Sequence, residues 1–311
     1  MHEFEAPDWR ALHSSLARRK RFAFCPVGYY LYHVPGRDGY AGHSDSWRYK
    51  LYCAKHALSK NGFCQALFRQ GVRDFFRPGK DFRREKFEKF LRRKFEHQFS
   101  LLENQAFADD PKLVPSIIEL NEKLLDPESI YEQSLFVLND LTGKFLSSEL
   151  FCNLSQIPLL DFYYEEKIWS WQLGGVIFTQ QPDLVWKSGQ YLYLLDMNHY
   201  SHLQEQARAG LLYKVYCLRF MHIPPEAVKI IFYTPASGEA AELQESSEEF
   251  AAVYHKLSSE AAMWRDYLLL QQRDSSAGNW HYARFDNCAR CRFKALCPAR
   301  TGTPETEQNS I

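Results

Sequence analysis

Cys288, Cys291 and Cys297 stand in the pattern C-x2-C-x5-C near the C-terminus, and Cys25 sits in Phe-Cys-Pro far upstream. Thiolates are soft ligands that suit iron–sulfur clusters, zinc and Cu(I). Two cysteines separated by two residues turn both sulfurs toward one centre. Structural zinc sites are usually built from two closely spaced ligand pairs. Here one ligand stands alone, about 260 residues before an asymmetric run of three. That spacing suits a cubane cluster better than zinc, with zinc as the alternative. Ligands at the two ends of the chain would fasten the start of the fold to its finish. Cys53, Cys64, Cys152 and Cys217 lie singly among apolar residues, where a free cysteine packs as a small hydrophobe. The opening Met-His-Glu-Phe-Glu carries no secretory signal, which argues against disulfides and for a cytoplasmic protein.

A second set of candidates carries oxygen. Asp183 follows Pro182 at the start of one strand-like run, and Asp196 ends the next. A hairpin turning at Ser188-Gly189 would set Asp183 opposite Leu194, close to Asp196 on the sheet. Two carboxylates at one sheet end can hold Mg2+ or Mn2+, hard ions that want oxygen ligands. Such an ion activates water and stabilises the charge that builds up in phosphodiester cleavage. Asn198 lies two residues beyond Asp196, on the same face of a strand.

The elements that must position these groups fall into two stretches. Trp9 to Tyr32 reads as helical, running into the Cys25-Pro26 turn. Trp47 to Phe76 reads as one long helix, with Leu51, Ala54, Leu58 and Leu67 near helical spacing. Pro78-Gly79 stops it, and Phe82 to Ala106 is a second, basic helix. Asp109-Asp110-Pro111 is a turn, followed by two or three helices up to Leu150. The pattern then changes. Lys167 to Phe178, Asp183 to Lys187 and Gln190 to Asp196 are strands. A helix spans about His202 to Met221, Val228 to Thr234 is another strand, and Ser246 to Gln272 is helical. The tail beyond Arg300 is polar and lacks the apolar residues of a core. This order predicts an α/β protein. It divides into a helical N-terminal region (1–165), an α/β core with the cysteine clasp (166–300) and a tail (301–311).

Apolar residues make up 45% and charged residues 24% of the 311, ordinary for a globular protein. No apolar run reaches the roughly 18 residues of a membrane span. The net charge of zero hides an asymmetry. Between Arg10 and Phe99 stand 21 Lys/Arg against 7 Asp/Glu, whereas Glu103 to Glu166 holds 13 acids against 3 bases. A basic segment on a neutral chain predicts a polyanion-binding face. Its densest parts are Arg18-Arg19-Lys20-Arg21 and the run through Arg83, Arg84, Arg92, Arg93 and Lys94.

The motifs together resemble a known family. Gln-Pro-Asp183, a hairpin, Leu-Leu-Asp196-Met-Asn198 and a helix carrying Gln206 are similar to the PD-(D/E)XK nuclease motif. Cys25-Pro26-Val27-Gly28-Tyr29-Tyr30 and the rear cysteine triplet resemble the RecB-like branch with a four-cysteine iron–sulfur cluster, which includes the AddB helicase-nuclease and the CRISPR adaptation exonucleases. The resemblance implies a restriction-endonuclease-like core with a helical N-terminal insertion and a C-terminal Fe–S clasp. It implies a 4Fe-4S cluster on Cys25, Cys288, Cys291 and Cys297. It implies Mg2+ or Mn2+ on His56, Asp183, Asp196 and the Met197 carbonyl. The activity implied is cleavage of single-stranded or frayed DNA, with Asn198 and Gln206 at the catalytic centre. Tyr213 would line the substrate groove and the two arginine clusters would contact phosphates. The setting implied is antiviral defence or DNA repair, beside a helicase or a CRISPR complex. The family's motif lysine is missing: Asn198 stands in its place, and Lys214 or Lys167 would have to supply the charge. The runner-up reading is a nuclease-like subunit that binds DNA or a protein complex without catalysis. A third reading is a zinc-clasped protein unrelated to nucleases.

Overall fold

The computed structural model describes residues 12–36, 47–76, 84–103, 116–163, 168–173, 176–198, 200, 203–243 and 283–301. It also describes Ser259, 262–264, 266–267, 269–271, 273–274 and Trp280. Along the chain run strand β1 (Leu12–Ser14) and helices α1 (Leu16–Phe24), α2 (Pro26–His33) and α3 (Trp47–His56). Next come strand β2 (Ala57–Leu58), helices α4 (Lys60–Phe75) and α5 (Arg84–Glu103), strand β3 (Ser116–Ile117), and helices α6 (Ile118–Asn121), α7 (Pro127–Leu146) and α8 (Glu149–Ser155). Strands β4 (Phe162–Tyr163), β5 (Trp169–Leu173), β6 (Val176–Gln180), β7 (Leu184–Ser188) and β8 (Tyr191–Asp196) follow. Helix α9 (Leu203–Tyr216), strands β9 (Val228–Thr234) and β10 (Glu239–Glu242), and helix α10 (Pro298–Thr301) complete the set. Among the described residues no helix is long and apolar enough to cross a membrane.

Two expected helices are each broken in two, for local reasons. Cys25 is extended (φ −164°, ψ 116°) between α1 and α2, as a residue before proline is driven to be. Pro26 then starts α2, where a missing N–H costs nothing. The expected single helix over 47–76 is interrupted at β2, and Ser59 caps α4 by accepting from the Gly62 N–H. Calls at Pro78-Gly79, Arg83, Asp109 to Pro111 and Lys167 lie outside the described residues, as does the tail beyond Thr301. So does most of the predicted helix over 246–272.

The chain divides into two units, cut differently from the sequence-based division. One joins Met1–Ala57, Trp171–Thr179 and Ala251–Ile311; the other holds Leu58–Ser170 and Gln180–Phe250. Cut points moved because the N-terminal helices pack with the C-terminal segment rather than with the helices that follow them in sequence.

The terminal unit has a core of Val27, Tyr30, Leu31, Trp47, Leu51, Tyr267 and Phe293. Hydrogen bonds lash its two ends together. Trp47 Nε1 donates to the Leu296 carbonyl (2.9 Å), and Arg284 Nη1 to that of Ala23 (2.7 Å). Arg292 Nη1 donates to the carbonyls of Lys55 (2.8 Å) and Ala57 (3.0 Å). β1 pairs in parallel with β6. His33 packs its ring 4.5 Å from Tyr29 and lies 3.4 Å from Arg21 Nη1. Burial, then the charges of Arg18, Arg21 and Lys55, holds its pKa far below the usual 6.5. The unfolded chain therefore binds a proton that the folded chain refuses, so stability is lost as pH falls below about 6.5. We expect a slope of up to about 1.4 kcal/mol per pH unit there. It should flatten in His33→Gln, with denaturation midpoints at pH 5 and pH 7 as the check.

The middle unit is a mixed sheet in the order β10-β9-β8-β7-β4, with β8 and β9 parallel and the other pairs antiparallel. α9 makes the crossover between β8 and β9, a βαβ unit. Its core includes Phe68, Phe76, Phe87, Phe95, Phe99, Phe145 and Phe151, which knit α4, α5, α7 and α8 to the sheet residues Leu184, Trp186 and Leu195. The hairpin turns one residue later than the sequence predicts. Ser188 pairs with Tyr191, and Gly189 (φ 59°) and Gln190 form the loop, because glycine takes the left-handed backbone at the turn. Leu184 faces Leu195, and the Asp183 N–H donates to the Leu195 carbonyl (2.7 Å). One step further puts Asp183 across from Asp196 rather than Leu194.

Candidate functional site

Asp183 and Asp196 come together in the middle unit, both buried. Asp183 is extended just before β7, and Asp196 ends β8. Their neighbours are not metal-site neighbours. Helix α4 sends in Arg69 and Arg73, one turn apart on its face. Arg69 Nη2 lies 3.0 and 2.9 Å from the two oxygens of Asp183, and its Nε is 3.1 Å from Oδ1. Arg73 Nε donates to Asp183 Oδ1 at 2.8 Å, and its Nη1 to Gln181 Oε1 at 3.4 Å. The Met197 N–H donates to Asp183 Oδ2 at 2.6 Å. Bidentate guanidinium–carboxylate pairs of this kind are strong and directional.

Asp196 is equally engaged. Asn198 donates to Oδ1 from both its backbone N–H and its Nδ2, each at 2.7 Å. Oδ2 accepts from the hydroxyls of Tyr200 (2.6 Å) and Tyr213 (2.8 Å). Asn198 Oδ1 in turn accepts from Arg69 Nη1 at 2.7 Å, so Asn198 links the two carboxylate systems. Burial and then Asp183 push the Asp196 carboxyl upward, against Arg69 and the Tyr200 hydrogen bond. Burial opposes the charge on Arg69, yet Asp183 and then Asp196 outweigh it and its pKa ends raised. Burial and Asp196 drive the phenols of Tyr200 and Tyr213 upward, so they stay as donors.

This constellation does not fit a divalent ion. Such an ion needs free carboxylate oxygens, and every oxygen of Asp183 and Asp196 already accepts from the protein. Two guanidiniums beside the pair would repel a doubly charged ion. In this structure Asp183 and Asp196 both anchor an internal network. Arg69 and Arg73 bring positive charge to the network that Asn198 joins. Arg69 and Arg73 were missed. The sequence signal was two arginines at i and i+4 on an amphipathic helix. Gln206 makes none of the bonds to the two carboxylates. Tyr213 is fully buried on Asp196, which corrects its placement in a substrate groove. His56 belongs to the terminal unit, at the end of α3, with its ring 4.7 Å from Tyr52.

The predicted phosphate-contacting arginines have mixed fates. Arg19 is buried, which removes it from any exposed face, and Arg21 lies over the Tyr32 ring at 3.3 Å. Arg18 and Lys20 are half-buried. Arg84, Arg92 and Arg93 are exposed on α5, where Arg84 pairs with Glu88 (3.5 Å) and Arg92 with Glu96 (3.0 Å). Exposed i,i+4 pairs of this kind contribute little stability.

The four cysteines do converge. Cys25, Cys288, Cys291 and Cys297 line one small cavity of about 20 Å3 in the terminal unit. Cys25 caps α2, its sulfur 3.5 Å from the Gly28 N–H. The Cys291 N–H closes back on the Cys288 carbonyl (3.1 Å), and the Arg300 N–H on that of Cys297 (3.0 Å). Burial pushes the Cys297 thiol up to about 11, with Cys291 and Cys25 adding to the rise. Burial also raises the Cys291 thiol, with Cys25 and Cys288 adding to the rise. Four thiols lining one cavity, two of them resisting ionisation, are a donor set that a bound cationic centre would relieve, so these residues fit the group. Among the described residues no three His, Cys, Asp or Glu side chains are gathered tightly enough for a single metal ion. All eight cysteines are free, and Cys64 and Cys217 are buried as expected of small hydrophobes. Compared with known proteins, the chain matches no family model, no curated protein and no solved structure.

Proposed function

We propose that this chain is a nuclease-like α/β protein of the PD-(D/E)XK type whose hydrolytic centre is replaced by an internal ion-pair network. It works as a nucleic-acid-binding or complex-forming subunit. One observation carries this reading: Asp183 accepts from Arg69, Arg73 and the Met197 N–H at once. Those guanidiniums take the space where a catalytic cation would sit and leave no lone pair for it. Supporting the nuclease-like part are the paired acids at the end of a β-hairpin and the crossover helix after it.

A 4Fe-4S cluster on Cys25, Cys288, Cys291 and Cys297 is part of the proposal. A single zinc ion with sulfurs at about 2.3 Å would need them within about 4 Å of one another. The asymmetric spacing of the ligands, one alone and three in a run, suits a polynuclear centre better. Its role is structural, holding the first helices to the last segment.

The test is a cleavage assay on end-labelled single-stranded DNA with Mn2+, Mg2+ or EDTA, using wild type and Asp196→Ala. We expect no metal-dependent product from either, while the wild type retains DNA in a binding assay. Cleavage by the wild type that Asp196→Ala abolishes would restore the metal-dependent nuclease.

A further inference from the structure

A cavity of about 250 Å3 opens in the middle unit, beside the Asp183 network. Gln70 and Arg73 of α4, Gln181 just before β7, and Phe162 and Tyr163 of β4 line it, over the buried Phe76 ring. The Asp183 carboxylate forms part of the wall but is closed to a ligand, since its side chain is fully buried and its oxygens are already taken. What the cavity offers is a set of planar hydrogen-bonding groups around a flat aromatic one.

The free ends of those groups follow from the bonds they already make. Arg73 spends Nε on Asp183 and one Nη1 proton on Gln181 Oε1; among the described residues nothing takes Nη2. A guanidinium only donates, so the contact fixes the Gln181 oxygen on Arg73 and leaves its amide N–H groups over. A carboxylate only accepts, so the bond of Gln70 Nε2 to Asp74 Oδ1 (2.9 Å) leaves the Gln70 carbonyl over. The Tyr163 ring is 47% exposed, and among the described residues no other ring lies against it.

These groups select a ligand by bond direction and shape rather than by charge, because Asp183 already answers the charge of Arg73. An arginine fork matches the paired O6 and N7 acceptors of guanine, whereas adenine sets an amino donor in the place of O6. An amide carbonyl suits the N–H groups on guanine's next edge. An exposed tyrosine ring is a stacking surface for a base. The volume lies just under that of sites for drug-sized molecules, the size class of one base with its sugar. Arg73 is held by Asp183 before any ligand arrives, so its fork is pre-organised.

We propose that this cavity binds a guanine base, read by the Arg73 guanidinium and the amides of Gln70 and Gln181 and stacked on Tyr163. A nucleic-acid strand and a free guanine nucleotide carry the same base. The strand as its source rests on the function proposed above; the cavity itself does not.

The experiment is saturation-transfer NMR titration of the full chain with deoxyguanosine, deoxyadenosine and thymidine, which carry no phosphate. Deoxyguanosine should bind about tenfold more tightly than the other two. Tyr163→Ala should weaken it about tenfold with little change in Tm, since the ring is half exposed. Arg73→Lys keeps a cation for Asp183 but not the fork, and should erase the preference for guanine over adenine. Equal binding of the three nucleosides, or wild-type affinity for deoxyguanosine in Tyr163→Ala, would overturn the proposal. Anisotropy of a fluorescein-labelled oligothymidylate with and without a central guanine then identifies the source. Tighter binding of the guanine-containing strand identifies the strand; deoxyguanosine binding without that gain identifies a free guanine compound. Oligonucleotide binding beside equal nucleosides would overturn this proposal and leave the nucleic-acid reading standing. Deoxyguanosine binding without any oligonucleotide binding would do the reverse.

Discussion

Asp183→Ala is expected to destabilise the middle unit by about 3–5 kcal/mol, toward the lower end because the guanidiniums retain some exposure. Asp183 is the common acceptor of Arg69 and Arg73, and its side chain is fully buried while theirs are 24% and 21% exposed. Removing it takes from both guanidiniums their shared carboxylate, leaving Arg69 only the weaker pull of Asp196, and strips the Met197 N–H of its acceptor. For a unit of this size the loss corresponds to roughly 10 °C in Tm. The measurement is thermal or denaturant unfolding in EDTA. This condition separates the two views of the site. An empty metal site holds two carboxylates that repel each other, so deleting one in EDTA would leave stability unchanged or raise it. A rise would therefore sink the ion-pair network. Arg69→Leu offers a graded control: Asp183 keeps Arg73 and the Met197 N–H, so its loss should be smaller.

The second large effect concerns the cysteines. Cys25→Ser and Cys297→Ser should each abolish iron binding and visible absorption in anaerobically purified protein. They should also open the terminal unit to proteolysis. When a site is formed only in the folded chain, the binding free energy of its metal is folding free energy; for structural zinc it is about 10–16 kcal/mol. The terminal unit draws its helices from one end of the chain and three of its thiols from the other. Without the centre, the described residues join the two ends by packing around Trp47, Leu51 and Phe293 and by a few side-chain-to-carbonyl bonds. Cys152→Ser, at an exposed cysteine of the middle unit that is not one of the quartet, should change neither readout. Colourless, iron-free wild type, or a Cys25→Ser protein with its full iron content, would remove the cluster from the account.

Much of the architecture could be read from local pattern. Alternation and turn residues located β7, β8 and β9 to within a residue or two, because strand periodicity is a property of consecutive side chains. Capping and proline rules explain the breaks at Cys25 and Ser59 that a purely periodic reading smoothed over. The hairpin register missed by one turn residue. A shift of that kind moves the partner by two positions and so keeps every side chain on its face, which is why the two aspartates still ended up side by side.

What the sequence by itself determined was the inventory: four thiols in a spacing that can share one cavity, and two acids at adjoining strand ends. Spacing along the chain carries that information because ligands a few residues apart are constrained by covalent geometry. Only the tertiary structure decided what the acids are bound to. Arg69 and Arg73 lie 114 and 110 residues before Asp183, and nothing local couples them. Long side chains on a helix face reach whatever the packing of α4 against the sheet sets before them. Tertiary packing within each unit also buried Arg19, which charge pattern had placed on a ligand-facing surface, and Tyr213, which the family resemblance had placed in a substrate groove.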